Sequence, residues 1–392
     1  MRITKEKIDN CSNWIAALIL CFHFVNGAVG ISGISVVNIA FISVLLFFSL
    51  SEKNFLINKH IFFLIIGVIF IFLLSICRIQ NATYTISYMG YFLAFGVVSL
   101  LAGALKVDVK IVVENILYVG IVGLCFYLFR GFDGLASSTT MGMTYSMCPI
   151  LFSAIIALIN YKKKRLIAGA CTILSLYIFV QHAPRGLWLT IVFFAFFCCF
   201  YKVVQSRSAF KTKIKKIGVI ITVLVLVCVL INNLIEIVMW VDSFLNNTFN
   251  ISIGALKKIM YYHKQEDLLN GRNALWNTTR TYISESPFFG KGIGYFEYKN
   301  EGAYPHNILF QAMCEIGVLF GGIALLMLII KSLKILFTTN KSVLYDRYCY
   351  STMVITVGVV MLFFSSSYWI WIPFWYCMGN LISNNLIVHR DK

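Results

Sequence analysis

Residues 61–77 read IFFLIIGVIFIFLLSIC, an apolar run without a single charge. A helix that crosses a bilayer needs about 20 such residues, with about 17 as the lower end. The run is therefore read as a membrane span. Residues 217–230, IGVIITVLVLVCVL, give the same signal. Working outward from these two, apolar stretches fall at 13–30, 32–50, 61–77, 86–105, 111–129, 143–160, 166–181, 187–201, 217–240, 307–330, 348–366 and 371–388. The first pair is interrupted by Gly27, Gly30 and Gly33 and the last pair by Pro373, so the count lies between ten and twelve. The expected fold is an all-α polytopic membrane protein of about 12 transmembrane helices with one large loop carrying short helices. Its parts are a bundle of nine spans at 1–240, the loop at 241–306, and three further spans at 307–392.

Composition agrees. The chain has 392 residues, 59% hydrophobic and only 12% charged, where a soluble domain carries about 25% charged residues. Too few polar side chains exist to cover a water-facing surface, which excludes a cytosolic globular enzyme and any disordered or fibrous class. The formal charge of +17 would suggest nucleic acid in a soluble protein. Here its placement decides otherwise. With the N-terminus cytoplasmic, 23 of the 33 basic residues fall in cytoplasmic segments, including the run 162–165 and the cluster around 202–216. Of the ten left, seven lie in the long loop, and long loops are exempt from the positive-inside rule. Both termini are thus expected in the cytoplasm, and no nucleic-acid partner is indicated. The opening MRITKEKIDN lacks a small-residue cleavage pattern after it and reads as the flank of a start-transfer helix. The twelve cysteines sit in or beside apolar stretches, none between 241 and 305, and behave as small apolar residues.

Chemistry is expected in the long loop, because structureless loops beyond about 15 residues are uncommon unless functional. Residues 272–284 suit a helix. Arg272, Trp276 and Arg280 stand at i, i+4 and i+8 on one face, and Pro287 stops it before Gly290, Gly292 and Gly294 turn the chain back. Trp276 and Arg280 fit either a functional face or plain anchoring at lipid headgroups. The glycines do not form a nucleotide loop, since neither the strand–helix context nor a Lys-Ser/Thr pair is present. His306 follows Tyr304-Pro305 and opens the next span, with Asn307 beside it and Gln311 and Glu315 further along. The positive end of a helix favours a neutral imidazole there, able to accept a proton. A structural histidine is the competing reading. Glu315 lies about two turns inside the span, as a site residue or as a helix–helix hydrogen-bond partner. Arg185, in the turn QHAPRGLW at 181–188, is costly between two apolar helices unless it is paired, functional or snorkelling to headgroups. It falls on the same side as Arg272 and His306. Two planar guanidinium forks suit a diphosphate. No HExxH, paired-aspartate or His/Cys cluster occurs, so no metal or other cofactor is indicated.

These stretches resemble the O-antigen ligase/O-antigen polymerase superfamily. Ala183-Pro-Arg-Gly-Leu-Trp188 is similar to that family's arginine-bearing turn. Arg272-Asn-Ala-Leu-Trp276 and Ser286-Pro-Phe-Phe-Gly-Lys-Gly-Ile-Gly294 look like its large periplasmic loop, and Pro305-His-Asn-Ile-Leu-Phe-Gln311 with Glu315-Ile-Gly317 like its histidine motif. The motif-bearing part covers about residues 140–325. The resemblance implies a glycosyltransferase of the bacterial inner membrane that takes a glycan from undecaprenyl diphosphate and joins it to an acceptor hydroxyl on the periplasmic side. It needs no metal or cofactor, because the lipid diphosphate is the leaving group. Carried over residue by residue, Arg185 and Arg272 bind the diphosphate, with Arg280 as an auxiliary contact. His306 is the catalytic base or positioner, and Trp276, Asn307 and Glu315 support it. A single displacement inverts the anomeric carbon. The implied partners are the undecaprenyl-diphosphate-linked oligosaccharide donor, a glycan or lipid A-core acceptor, a chain-length regulator and membrane lipids. The turn and the Tyr-Pro-His-Asn loop look more like repeat-unit polymerases. Ligases that transfer the chain to lipid A-core, and enzymes that transfer glycans to protein, share the donor. A lipid-linked oligosaccharide flippase is the alternative of another class, but it would be expected to show related halves and charges spread over many spans.

Overall fold

The computed structural model describes residues 5–29, 34–52, 59–130, 137–182, 185–206, 212, 218, 234–249, 272–338 and 343–386. All regular elements among them are helical. In chain order they are α1 (Lys5–Leu20), α2 (Phe22–Val29), α3 (Ile34–Glu52), α4 (Lys59–Arg78), α5 (Thr83–Gly103), α6 (Val109–Arg130), α7 (Ser137–Ser146), α8 (Cys148–Asn160), α9 (Arg165–His182), α10 (Arg185–Gln205), α11 (Leu234–Phe249), α12 (Arg272–Glu285), α13 (Tyr295–Lys299), α14 (Ile308–Leu336), α15 (Tyr345–Gly358) and α16 (Ile372–Ser383).

Six helical stretches among the described residues are long and apolar enough to cross a membrane, or seven if α1 and α2, bent by 66° at their junction, make one broken span. The expected span 217–240 falls largely outside the described residues, as do the loop residues 250–271. α11 runs on through the boundary expected at 240/241. The last two expected spans take another form. α15 has 14 residues and α16 has 12, joined by a 3-10 turn at Val360–Phe363 and an irregular stretch, and neither alone reaches the length a span requires.

The reason lies in their position. α15 is buried from Tyr348 to Gly358, and α16 is buried over most of its length. They form the centre of the bundle, and longer helices surround them. Tyr201 of α10 stacks on Tyr348 with ring centroids 3.9 Å apart. Tyr350 and Tyr376 share a hydrogen bond of 2.8 Å between α15 and α16. The hydroxyls of Thr352 and Thr356 bond back to the carbonyls four residues earlier, which satisfies them without water. α16 lies directly on the second half of α5, where Gly379 and Gly103 meet. A methyl group added at Gly103 would come within 3.0 Å of the Gly379 Cα, the small-residue contact that lets helices approach closely in a membrane. The outer helices keep the opposite pattern. Phe62, Phe63, Phe70 and Leu73 of α4 and Leu319, Phe320, Leu326 and Met327 of α14 point outward, as side chains facing lipid would.

α14 holds the fold's main irregularity. Its 29 residues are broken at Gly317, which has φ 85° and ψ 164°. An unbroken helix would join the Val318 N–H to the Cys314 carbonyl. Instead the segment after α12 wedges between them. Val318 donates to the Pro287 carbonyl at 2.7 Å, Lys291 N–H donates to the Cys314 carbonyl at 2.7 Å, and Gly292 N–H to the Glu315 carbonyl at 2.9 Å. Each backbone group released by the break that these bonds reach thus finds a partner in the loop. Only glycine fits at 317: the left-handed φ excludes a β-carbon, and one would also run into the Phe288 carbonyl. From the other side Arg78 donates to the carbonyls of Phe289 at 3.2 Å and Gly290 at 3.0 Å. Ile293 is clasped by the hydroxyls of Ser75 and Thr85. The loop is therefore pinned between α4, α5 and α14.

Candidate functional site

α12 forms where the sequence places it, from Arg272 to Glu285, and leans on the first half of α14. Its register points Trp276 at the turn preceding α14, where the indole Nε1–H donates to the Pro305 carbonyl at 2.9 Å and the ring lies 5.7 Å from that of Phe310. Asn307 caps α14, its side-chain oxygen accepting from the N–H of Leu309 at 2.9 Å. Its amide also reaches the Phe363 carbonyl at 3.3 Å, which ties the turn to the stretch leading from α15 to α16. Between these two anchors sits His306, with φ 55°. Left-handed backbone at a residue other than glycine is uncommon and costs about 1–3 kcal/mol, and such conformations cluster at functional sites.

The imidazole packs on Tyr304, ring centroids 4.0 Å apart. Tyr304 is itself held by the Ser366 backbone and the Ser365 side chain. Burial, and then the Arg272 guanidinium, push the His306 pKa down to about 4. The ring is therefore neutral at neutral pH, with an unprotonated nitrogen whose basicity burial and Arg272 hold down. Its Nδ1 is buried and meets no hydrogen-bond partner. Arg272 is partly buried. The charged pairs formed among the described residues, Lys164 with Glu114 and Lys291 with Glu285, do not involve it. A guanidinium in that setting has unfilled bonding capacity suited to an anion.

Arg272 also acts electrostatically on the hydroxyl of Tyr145, a buried residue of α7. A β-carbon on Gly186, in the first turn of α10, would collide with that hydroxyl and with the Phe364 Cβ, 2.6 Å away, so both side chains pack over this glycine. Arg185 is the first residue of α10; its side chain lies outside the described residues. The backbone thus brings the start of α10, the start of α12 and the His306 turn around Tyr145 and Tyr304. Arg280 stands apart. It is exposed, bonds Asn277 at 3.1 Å and lies over the Phe310 ring at 5.5 Å.

Glu315 belongs to a second centre, two turns further along α14. It is buried and accepts from Gln311 at 3.0 Å, from the Trp369 indole at 2.9 Å and from the Tyr368 hydroxyl. Gln311 donates in addition to Ser367 at 2.7 Å. Across from it Glu297 of α13 is 1% exposed and accepts from the Tyr88 hydroxyl at 2.9 Å. Sequence reasoning did not single out Glu297, Tyr88, Tyr145 or Tyr368. The signal for Glu297 was a lone carboxylate between aromatic residues, Tyr295-Phe-Glu-Tyr298.

No curated protein and no solved structure matches the chain. Residues 170–327 match the family model described as O-antigen ligase. The matched stretch contains the start of α10, all of α12, the wedge at Gly317 and the His306 turn. Over residues 170–327 the chain is therefore similar to the O-antigen ligase family, in line with the resemblance read from its motifs.

Proposed function

We propose that the protein is a metal-independent membrane glycosyltransferase. It takes a glycan from a polyprenyl diphosphate, undecaprenyl diphosphate in a bacterial inner membrane, and transfers it to a sugar hydroxyl, as the polymerase of surface-polysaccharide repeat units. The observation that carries this reading is Arg272, which no carboxylate neutralises among the described residues, acting electrostatically on a neutral, partly buried His306. In the proposed reaction Arg272 and Arg185 hold the diphosphate oxygens and stabilise the charge that grows as the bond from anomeric carbon to phosphate oxygen breaks. His306 accepts the proton of the attacking hydroxyl, or orients it, as the new glycosidic bond forms from the opposite face. Bound diphosphate would offset the Arg272 charge that disfavours imidazolium, so His306 would become more basic when the donor is in place.

Trp276 and Asn307 hold the turn, while Glu315 fixes the helix behind it. Arg280 is assigned to auxiliary phosphate contact from the membrane rim. The site is assigned to the periplasmic side with both termini in the cytoplasm, in keeping with the distribution of basic residues. A chain-length regulator and the surrounding lipids complete the proposed partners. Transfer of a finished chain to lipid A-core would use the same donor site. Deleting the gene and displaying the cell's lipopolysaccharide on a gel separates the two. Loss of the ladder with one repeat unit retained identifies a polymerase, and complete loss of O-antigen from the core identifies a ligase. An unchanged profile overturns both.

A further inference from the structure

We propose that Glu297 is a positioning residue for the transfer, a carboxyl whose proton keeps the loop latched and so fixes the turn that carries His306. The role rests on the glycosyltransferase reading above; the latch itself does not. Two carboxyl groups, Glu297 and Glu315, are each 1% exposed and share one buried cluster with Tyr88 of α5, Cys314 and Gln311 of α14, and Ser367, Tyr368 and Trp369 of the stretch before α16. Tyr88 and Tyr368 each sense both carboxyls. The titratable groups that face the pair are these carboxyls, the tyrosines 88, 304 and 368, and Cys314; the cations Lys291 and Arg272 act at the cluster's edge, on Cys314 and Tyr304, and no cation acts on either carboxyl. Glu315 accepts three hydrogen bonds. Glu297 accepts from Tyr88 and is favoured as an anion only by that hydroxyl and its own backbone N–H, while its Oε2 is buried and makes no full hydrogen bond. Two full negative charges there would meet neither water nor a counter-charge, and a proton on Glu297 resolves the conflict.

The cluster is mechanically joined to the site. The Glu297 carbonyl accepts from Gly302 N–H at 2.8 Å, and four residues later comes His306. The Glu315 carbonyl accepts from Gly292 in the wedge that holds α14 open at Gly317. Burial lifts the Glu297 pKa to about 7 from the ordinary 4.5. A carboxyl raised in the folded state gives stability that is complete below its free value and is lost as pH rises through the folded value. The latch is thus closed in mild acid and loosens above about pH 7.

The test uses the full chain in nanodiscs, with hydrogen exchange over residues 287–306 and with glycan transfer, each followed between about pH 6 and about pH 8.5, either side of the Glu297 value. In the wild type, protection corrected for intrinsic exchange falls across this range and the transfer rate falls with it. Glu297→Gln, neutral at every pH, keeps both flat. Tyr88→Phe, which removes the donor that favours the Glu297 anion, moves both midpoints upward and serves equally if the glutamine variant fails to fold. A fall in Glu297→Gln that parallels the wild type, or no pH response in the wild type, overturns the proposal. A wild-type latch that responds as stated in a protein with no transfer activity overturns the glycosyltransferase reading and leaves the latch standing.

Discussion

Two polar centres lie within a few turns of each other along α14, and they are built on opposite principles. Glu315 itself is fully satisfied: an amide, an indole and a phenol converge on its carboxyl, and Gln311 continues the network to Ser367, with the Oε2 of the neighbouring Glu297 left over. His306 is not. Its Nδ1 has no partner, Arg272 has no carboxylate among the described residues, and the backbone itself is left-handed. A fully satisfied buried network rigidifies a fold, whereas unsatisfied groups persist where a ligand completes them. On the proposed function, the first centre supports and the second is held open for chemistry. Burial acts on their titratable groups in opposite directions, holding the His306 imidazole deprotonated and the proton on the Glu297 carboxyl.

Substitutions can break this comparison, and the largest effect should come from the support. Gly317→Ala places a β-carbon at φ 85° and against the Phe288 carbonyl. It should cost about 2–3 kcal/mol and lower the melting temperature in detergent, because the wedge has to leave the helix break. An unchanged melting temperature would show that the break does not depend on the wedge. Next comes His306→Ala, expected to slow transfer by about 100-fold or more with the protein still folded. A loss of folding comparable to Gly317→Ala would move His306 into the supporting centre. Trp276→Phe keeps the aromatic packing on Phe310 but removes the hydrogen bond to Pro305. That bond is worth about 1 kcal/mol, so transfer should fall about fivefold. The smallest effect is spectroscopic. Arg272→Gln should raise the His306 pKa, followed by NMR of the imidazole, from about 4 toward its free value without reaching it. Burial is the larger cause and remains. A pKa that does not move would mean the two side chains do not share one site.

Several of these features were legible in the sequence. α12 could be read from the Arg272, Trp276, Arg280 spacing and the stop at Pro287, because an amphipathic surface helix writes its period locally. The break at Gly317 was not legible. Glu315-Ile-Gly-Val318 sits inside an apolar run, and its geometry depends on a loop that supplies the missing hydrogen bonds from elsewhere in the chain. Glu297 was overlooked because its partner Tyr88 is 209 residues away. The C-terminal helices were read as spans because hydropathy detects apolar length and is blind to whether a helix faces lipid or protein. The hydroxyls of Ser351, Thr352 and Thr356 are tolerated in α15 because neighbouring carbonyls accept from them at the bundle's centre.

The most direct measurement follows release of polyprenyl diphosphate from a synthetic lipid-linked repeat unit by the purified protein in nanodiscs, comparing wild type with Arg272→Ala and Arg272→Lys. Wild type should release the lipid diphosphate as the glycan is extended. The alanine variant should be slower by about 100-fold or more, and lysine should restore only part of the rate, since a point charge replaces a bidentate fork. Equal rates in all three proteins, or no release by the wild type, would contradict a diphosphate site at Arg272.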